Sequence, residues 1–206
     1  METNVFTIGH SRHALDDFVA LLRRHSVTAL CDVRSTPYSR INSQFNREDF
    51  KQALLNVGVV YVYLGLELGA RSLDSGCYVD GKVQYDRLAQ TELFRKGLDR
   101  IREGMKGYRL ALMCAEKDPL ECHRTILVSR HLDVNGIAVQ HILGDGSLES
   151  HEQAMFRLLA TLKIPANMLS SSEELLAEAY RVQGERIAYV AKKVPTKASV
   201  ASNMRR

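Results

Sequence analysis

No run of 18 apolar residues occurs in the 206-residue chain, which excludes a transmembrane helix. The first residues, METNVFTIGHS, carry neither a basic stretch nor an apolar one, so a secretory signal is not expected. Cysteine is sparse. Cys31, Cys77, Cys114 and Cys122 form no dense framework. Without an export signal they read as reduced thiols of a cytoplasmic protein. No internal repeat is present, which argues against a stacked-repeat architecture.

What is present is ordinary globular composition, 45% hydrophobic and 25% charged. A chain of this length buries roughly 70% of its unfolded surface and needs neither metal nor disulfide to fold. Lys and Arg number 28 against 24 Asp and Glu. The excess sits at one end: residues 184–206 hold Arg186, Lys192, Lys193, Lys197, Arg205 and Arg206 against Glu185. Residues 1–183 are therefore near neutral, and the total charge does not mark the body as a nucleic-acid binder. The expected division is an α/β domain over 1–183 and a basic, flexible tail over 184–206.

Apolar runs at Val5–Ile8, Thr28–Val33, Val59–Leu64, Arg109–Cys114 and Val139–Leu143 predict five strands. Helical spacing connects them: Leu15, Phe18, Val19 and Leu22 share a face, as do Phe94, Leu98, Ile101 and Met105. Asn46 is expected to cap a helix that Gly58 stops. Asp118, Pro119 and Glu121 read as the start of a helix running to Asn135–Gly136. Ser150 with Gln153, and Ser171 with Glu174, open two more. Residues 65–90 read as a long Gly-rich loop. Alternating strands and helices predict one three-layer α/β domain, a mainly parallel sheet of about five strands with helices on both faces. Ligands bind such sheets at the carboxyl ends of the strands.

Three polar clusters fall there. In Gly9-His10-Ser11, a strand gives way to a helix. Backbone N–H groups there can meet an anion, and His10 can carry a proton near neutral pH. The alternative is a tight turn with Ser11 as a helix cap. In Asp32-Val33-Arg34 the two charged residues share one side of an extended chain. They either orient a substrate or pair with each other. Arg34 and Arg40 together can clamp a phosphate. The third cluster, Cys114 through Arg124, crosses from a buried strand to a helix start. There a lowered pKa can make Cys122 nucleophilic, and Glu116 can serve as acid or base. A metal held by Cys114, Cys122 and His123, with His10 as fourth ligand, meets the objection that adjacent Cys122 and His123 diverge by about 100° on a helix. In the long loop Glu67, Arg71, Tyr78, Tyr85 and Arg87 suit phosphate contact and stacking, or simply a solvated loop.

The strings TIGHS, DVRSTPYSR and CAEKDPLECHR together make residues 5–145 resemble the "domain of unknown function 488" family. Ala70 stands where the family pattern carries a second Gly. The resemblance implies an α/β domain whose three motifs converge on one site, at His10, Ser11, Asp32, Arg34, Pro37, Ser39, Arg40, Glu116, Cys122, His123 and Arg124. It implies no reaction.

The expected function is an enzyme acting on a phosphate-bearing substrate, nucleotide or nucleic acid favoured, by hydrolase-type or N-glycosidase-type acid–base chemistry. Glu116, His10, Asp32, His123 and Cys122 are the catalytic candidates. Ser11, Arg34, Ser39, Arg40, Arg71, Lys117 and Arg124 are the substrate-binding ones. No cofactor is expected. A non-catalytic nucleotide or nucleic-acid binding module, and a Cys/His metal or thiol redox protein, remain open beside it.

Overall fold

In the computed structural model, which describes residues 4–164 and 171–192, the first strand β1 (Asn4–Gly9) is followed by α1 (Leu15–Arg24), β2 (Ala29–Asp32), α2 (Arg47–Asn56) and β3 (Val60–Tyr63). The segment expected to be one irregular loop is built instead. It holds α3 (Gly65–Leu68), a two-stranded hairpin of β4 (Tyr78–Val79) and β5 (Lys82–Val83), and α4 (Tyr85–Ala89). These short elements have no amphipathic period to read, and tertiary contacts hold them. Then come α5 (Glu92–Met105), β6 (Leu110–Cys114), a π-helical turn over Arg124–Ser129 that runs into α6 (Arg130–Val134), and β7 (Ala138–Ile142). The described chain closes with β8 (Leu148–Ser150), α7 (His151–Leu162) and α8 (Ser172–Ile187).

The main sheet has six strands in the order β3-β2-β6-β1-β7-β8, all parallel except β8, which runs antiparallel to β7. Successive side chains of a strand face opposite layers. In β6, Leu110, Leu112 and Cys114 pack with Phe94, Leu98 and Ile101 of α5 and with Leu127 and Leu132. Ala111 and Met113 pack with Phe18 and Leu22 of α1 and Phe50 and Leu54 of α2. Both faces are thus covered, as a parallel sheet requires. A third cluster, Leu120, Ile126, Met155, Leu158 and Tyr180, seats α7 and α8 against the segment after β6. Phe18, Phe45 and Phe50 meet edge-to-face at 5.2–5.7 Å, each pair worth roughly 0.5–1.5 kcal/mol beyond its buried area. Phe45 in turn stacks on His10 at 4.5 Å, which ties this core to the strand ends. Among the described residues no helix is long and apolar enough to cross a membrane.

Four local expectations are corrected. Asn46 precedes α2, but its side chain accepts the Ser39 amide at 2.7 Å rather than capping the helix. Ser11 caps nothing, because α1 begins at Leu15. Asp118 caps only a 3-10 turn at Pro119–Glu121, after which Cys122 is fully extended (φ −139°, ψ 139°) and interrupts the helix. The proposed boundary at 183 cuts through α8. Beyond it, Tyr189 accepts the Val83 amide at 3.0 Å and Ala191 donates to Gly81 at 2.8 Å. The tail expected over 184–206 therefore begins inside the fold, and its remainder, 193–206, lies outside the described residues.

Candidate functional site

Asp32, the last residue of β2, is fully buried. Two residues on, Arg34 returns onto it as a fork, Nε to Oδ1 at 2.9 Å and Nη2 to Oδ2 at 2.7 Å. Tyr61 donates to the same carboxylate at 2.7 Å, and Arg34 Nη2 also reaches the Phe45 carbonyl at 2.8 Å. The charges are taken up by each other, so of the two sequence readings the pairing one is realised. Arg40 is exposed and has no side-chain hydrogen bond or ion pair among the described residues. The Arg34–Arg40 phosphate clamp is not assembled.

His10 completes this network. A carbonyl only accepts, so the contact of His10 Nδ1 with the Ser11 carbonyl at 3.0 Å puts the proton on Nδ1. Nε2 then accepts from Arg34 Nη1 at 3.2 Å. Burial first, then the Arg34 charge, lowers the His10 pKa from 6.5 to about 4. His10 is neutral at pH 7 with both nitrogens engaged, so the expected proton carrier near neutrality is corrected. The amides of His10 and Ser11 donate to the carbonyls of Cys114 and Ala115, both at 2.9 Å. They are therefore not free for an anion. Ser39 is likewise a turn residue, its hydroxyl accepting the amides of Ile41 and Asn42.

The second group lies one step away, across the Val33 carbonyl. His123 donates from Nε2 to that carbonyl at 3.1 Å, which leaves the lone pair on Nδ1. Nδ1 faces two thiols, Cys114 Sγ at 3.7 Å and Cys122 Sγ at 3.9 Å. Cys122 Sγ also lies 2.9 Å from Glu116 Oε2. The break in the helix at Cys122 makes this convergence possible. With Cys122 extended and His123 opening the next helical turn, neighbouring side chains point to one place.

Arg124 underlies the group with a relative exposure of 0%. Its guanidinium donates to the Glu116 carbonyl at 2.8 Å and the Lys117 carbonyl at 3.3 Å, and its amide points at Cys122 Sγ at 3.5 Å. No carboxylate pairs with it among the described residues. An unanswered buried charge is costly, and here backbone carbonyls take two of the guanidinium nitrogens while Nε has no partner among the described residues. Burial would raise the Cys122 pKa, but the Cys114 hydrogen bond, Arg124 and His123 bring it well below the usual thiol value. Cys114 is correspondingly raised, by its hydrogen bond to Cys122 and by burial. Glu116 is exposed at the cleft, yet partial desolvation and then Cys122 raise its pKa. For His123, burial opposes protonation, but its hydrogen bond to Cys122 and that group's charge win, and the pKa rises. Gly9 lets the 116 loop come this close. A Cβ there would sit 1.9 Å from the Glu116 carbonyl oxygen.

Above these groups opens a cleft of about 240 Å³. The end of β2 supplies Arg34, Ser35 and Thr36. The end of β6 supplies Cys114, Ala115 and Glu116, joined by Glu121 and His123. Ala70, Arg71 and Tyr85 come from the middle segment, and Ile187 and Tyr189 from the far end of the chain. The Arg71 guanidinium lies 4.5 Å over the Tyr189 ring and within 3.4 Å of the Thr36 hydroxyl, and its amide donates to Ser35. Lys117 is exposed and stands outside the lining. The structure thus gathers Glu116, His123, Arg34 and Arg71 about one cleft, with Cys122 buried against Glu116 behind the lining. It places His10, Asp32 and Arg124 beneath it and leaves Ser39, Arg40 and Lys117 elsewhere. The sequence reading missed Tyr61, the Val33 carbonyl, Ile187 and Tyr189. No local signal marks them: Tyr61, Val33 and Tyr189 act through partners at least 29 positions away, and Ile187 enters the lining from the far end of the chain.

No curated protein and no solved structure matches the chain. A family does, over residues 14–131, a span that takes in Arg34, Arg71, Glu116 and the whole Cys114, Cys122 and His123 group but not His10 or the Tyr189 wall. Matched over more than half of its length, the chain belongs to the family described as Domain of unknown function DUF488.

Proposed function

We propose that this chain is an enzyme of hydrolase type acting on a phosphate-bearing substrate, a nucleotide or nucleic acid being the favoured class. One observation carries the reading: a single cleft brings the Glu116 carboxyl, the Arg71 guanidinium and the hydroxyls of Ser35 and Thr36 to one space beside a buried Cys/His group. Glu116 moves the proton of the reaction. Of the basic binding candidates Arg34, Arg40, Arg71, Lys117 and Arg124, Arg71 takes the anion-binding role, because Arg34 and Arg124 are already committed to protein acceptors and Arg40 and Lys117 stand outside the cleft. Stacked on Tyr189, it presents a planar donor edge suited to phosphate. The cleft is smaller than the roughly 300–1,000 Å³ of most small-molecule sites. It therefore takes the reacting end of a substrate and leaves the rest outside.

Screening phosphate esters, nucleotides and labelled DNA and RNA for cleavage tests the reading. Glu116→Gln is expected to lower kcat by about 100-fold or more, the usual worth of a positioned acid–base group, with Kd unchanged. Arg71→Ala is expected to raise KM instead. Equal turnover in Glu116→Gln would remove the role of Glu116. Binding without turnover across the panel would leave a binding module in place of an enzyme.

A further inference from the structure

We infer that Cys114, Cys122 and His123 form a binding site for one zinc-class divalent cation, with its fourth coordination position open to the cleft. The ion's catalytic use rests on the function proposed above; its presence does not.

The distances are those of a preformed site. The three ligand atoms lie within 4.8 Å of one another, and Nδ1 is 3.7 and 3.9 Å from the two sulfurs. Zinc bonds of about 2.3 Å to sulfur and 2.0–2.1 Å to nitrogen, set at a tetrahedral angle, separate S and N by about 3.6 Å. All three residues are more than nine-tenths buried. The Val33 carbonyl fixes the His123 tautomer with the ligating lone pair inward, the backing that metal-bound imidazoles commonly have. The objection from sequence, adjacent residues diverging on a helix, does not hold, because Cys122 is not helical.

Charge and ligand type select the ion. Two thiolates neutralise a divalent cation, and sulfur with imidazole suits zinc rather than magnesium or calcium. Arg124 lies beneath, its amide 3.5 Å from Cys122 Sγ, and no carboxylate pairs with it among the described residues. His10 is not the fourth ligand, since Ser11 and Arg34 engage its ring. Cys114, His123 and Glu116 all line the cleft, so the coordination sphere is open on that side. Three protein ligands and an open position are the pattern of a catalytic rather than a closed structural zinc site. Bound there, the ion would supply a water activated for attack on a phosphate ester; as the new P–O bond forms and the bond to the leaving oxygen breaks, Glu116 would take the water's proton and return it to that leaving oxygen.

The test is metal analysis of the full chain after chelation and repletion with Zn2+, beside absorption spectra of a Co2+-loaded sample. One equivalent of zinc and an intense thiolate-to-cobalt band with tetrahedral d–d transitions are expected. Cys122→Ser and His123→Ala are expected to lose both signals, and Glu116→Gln to keep them. The cobalt spectrum of the unaltered chain decides the matter even if the ligand variants fail to fold. No bound zinc and no thiolate-to-cobalt band would overturn the site, whereas turnover that persists in such metal-free protein would leave the proposed function standing. A full equivalent of metal with no turnover on any substrate would uphold the site and remove its catalytic use.

Discussion

Asp32 and Arg34 are buried as a forked pair, and removing either strands the other. Asp32→Asn is expected to cost about 3–5 kcal/mol, the range for leaving an uncompensated buried charge. The cost would be read from the urea midpoint at constant m-value. His10 gives a prediction in pH. Its folded pKa of about 4 lies below the unfolded value of 6.5, so below pH 6.5 the unfolded chain binds the extra proton. Stability is therefore fully present above about pH 6.5 and falls as pH is lowered toward 4, by about 3 kcal/mol from this group. His141 and His151, hydrogen-bonded to each other at 3.2 Å, are both lowered chiefly by burial and act with the same sign. His10→Gln, which keeps an acceptor for Arg34, should show a shallower decline over that interval. An unchanged decline would mean that His10 is not the neutral acceptor described.

At the scale of elements, legibility followed from how local the determinants are. Ser150 with Gln153, and Ser171 with Glu174, form capping boxes in both directions, and both helices start where those residues predict. Ser150→Ala and Ser171→Ala are each expected to cost about 1 kcal/mol in thermal or urea denaturation. The reading failed where distant groups take the backbone. Asp118-Pro119-Leu120-Glu121 has the composition of a helix start. Yet Gln183 takes the Leu120 carbonyl at 2.9 Å, and Arg124 takes those of Glu116 and Lys117. The chain then makes one 3-10 turn and breaks at Cys122. The residue types of the site were legible in CAEKDPLECHR. Their geometry was not, because it depends on that break. The arginines misled for a related reason: pairing with Asp32 was one of two readings open for Arg34, whereas for Arg124 only the fold shows the carbonyls that accept from it.

On the scale of the whole molecule, the C-terminal elements are part of the domain. A chain ending at residue 183 loses the last turn of α8, the pairing of residues 189–191 with the β5 hairpin, and the Tyr189 wall of the cleft. It is expected to melt several degrees below a chain ending at residue 192, by calorimetry, and to bind substrate more weakly. Equal melting temperatures would show that the contacts beyond 183 contribute nothing.

The same arrangement sets an order in time. Cys114, Cys122 and His123, with β1 to β6 beneath them, are made before the ribosome reaches Gln183, which takes the Leu120 carbonyl, and Ile187 and Tyr189, which wall the cleft. At about 5–20 residues per second, the 65 positions from Arg124 to Tyr189 take roughly 3–13 seconds. For that interval each newborn molecule holds the complete cysteine–histidine sequence without the wall that later narrows access to it. An ion or an oxidant thus meets those thiols most easily during synthesis.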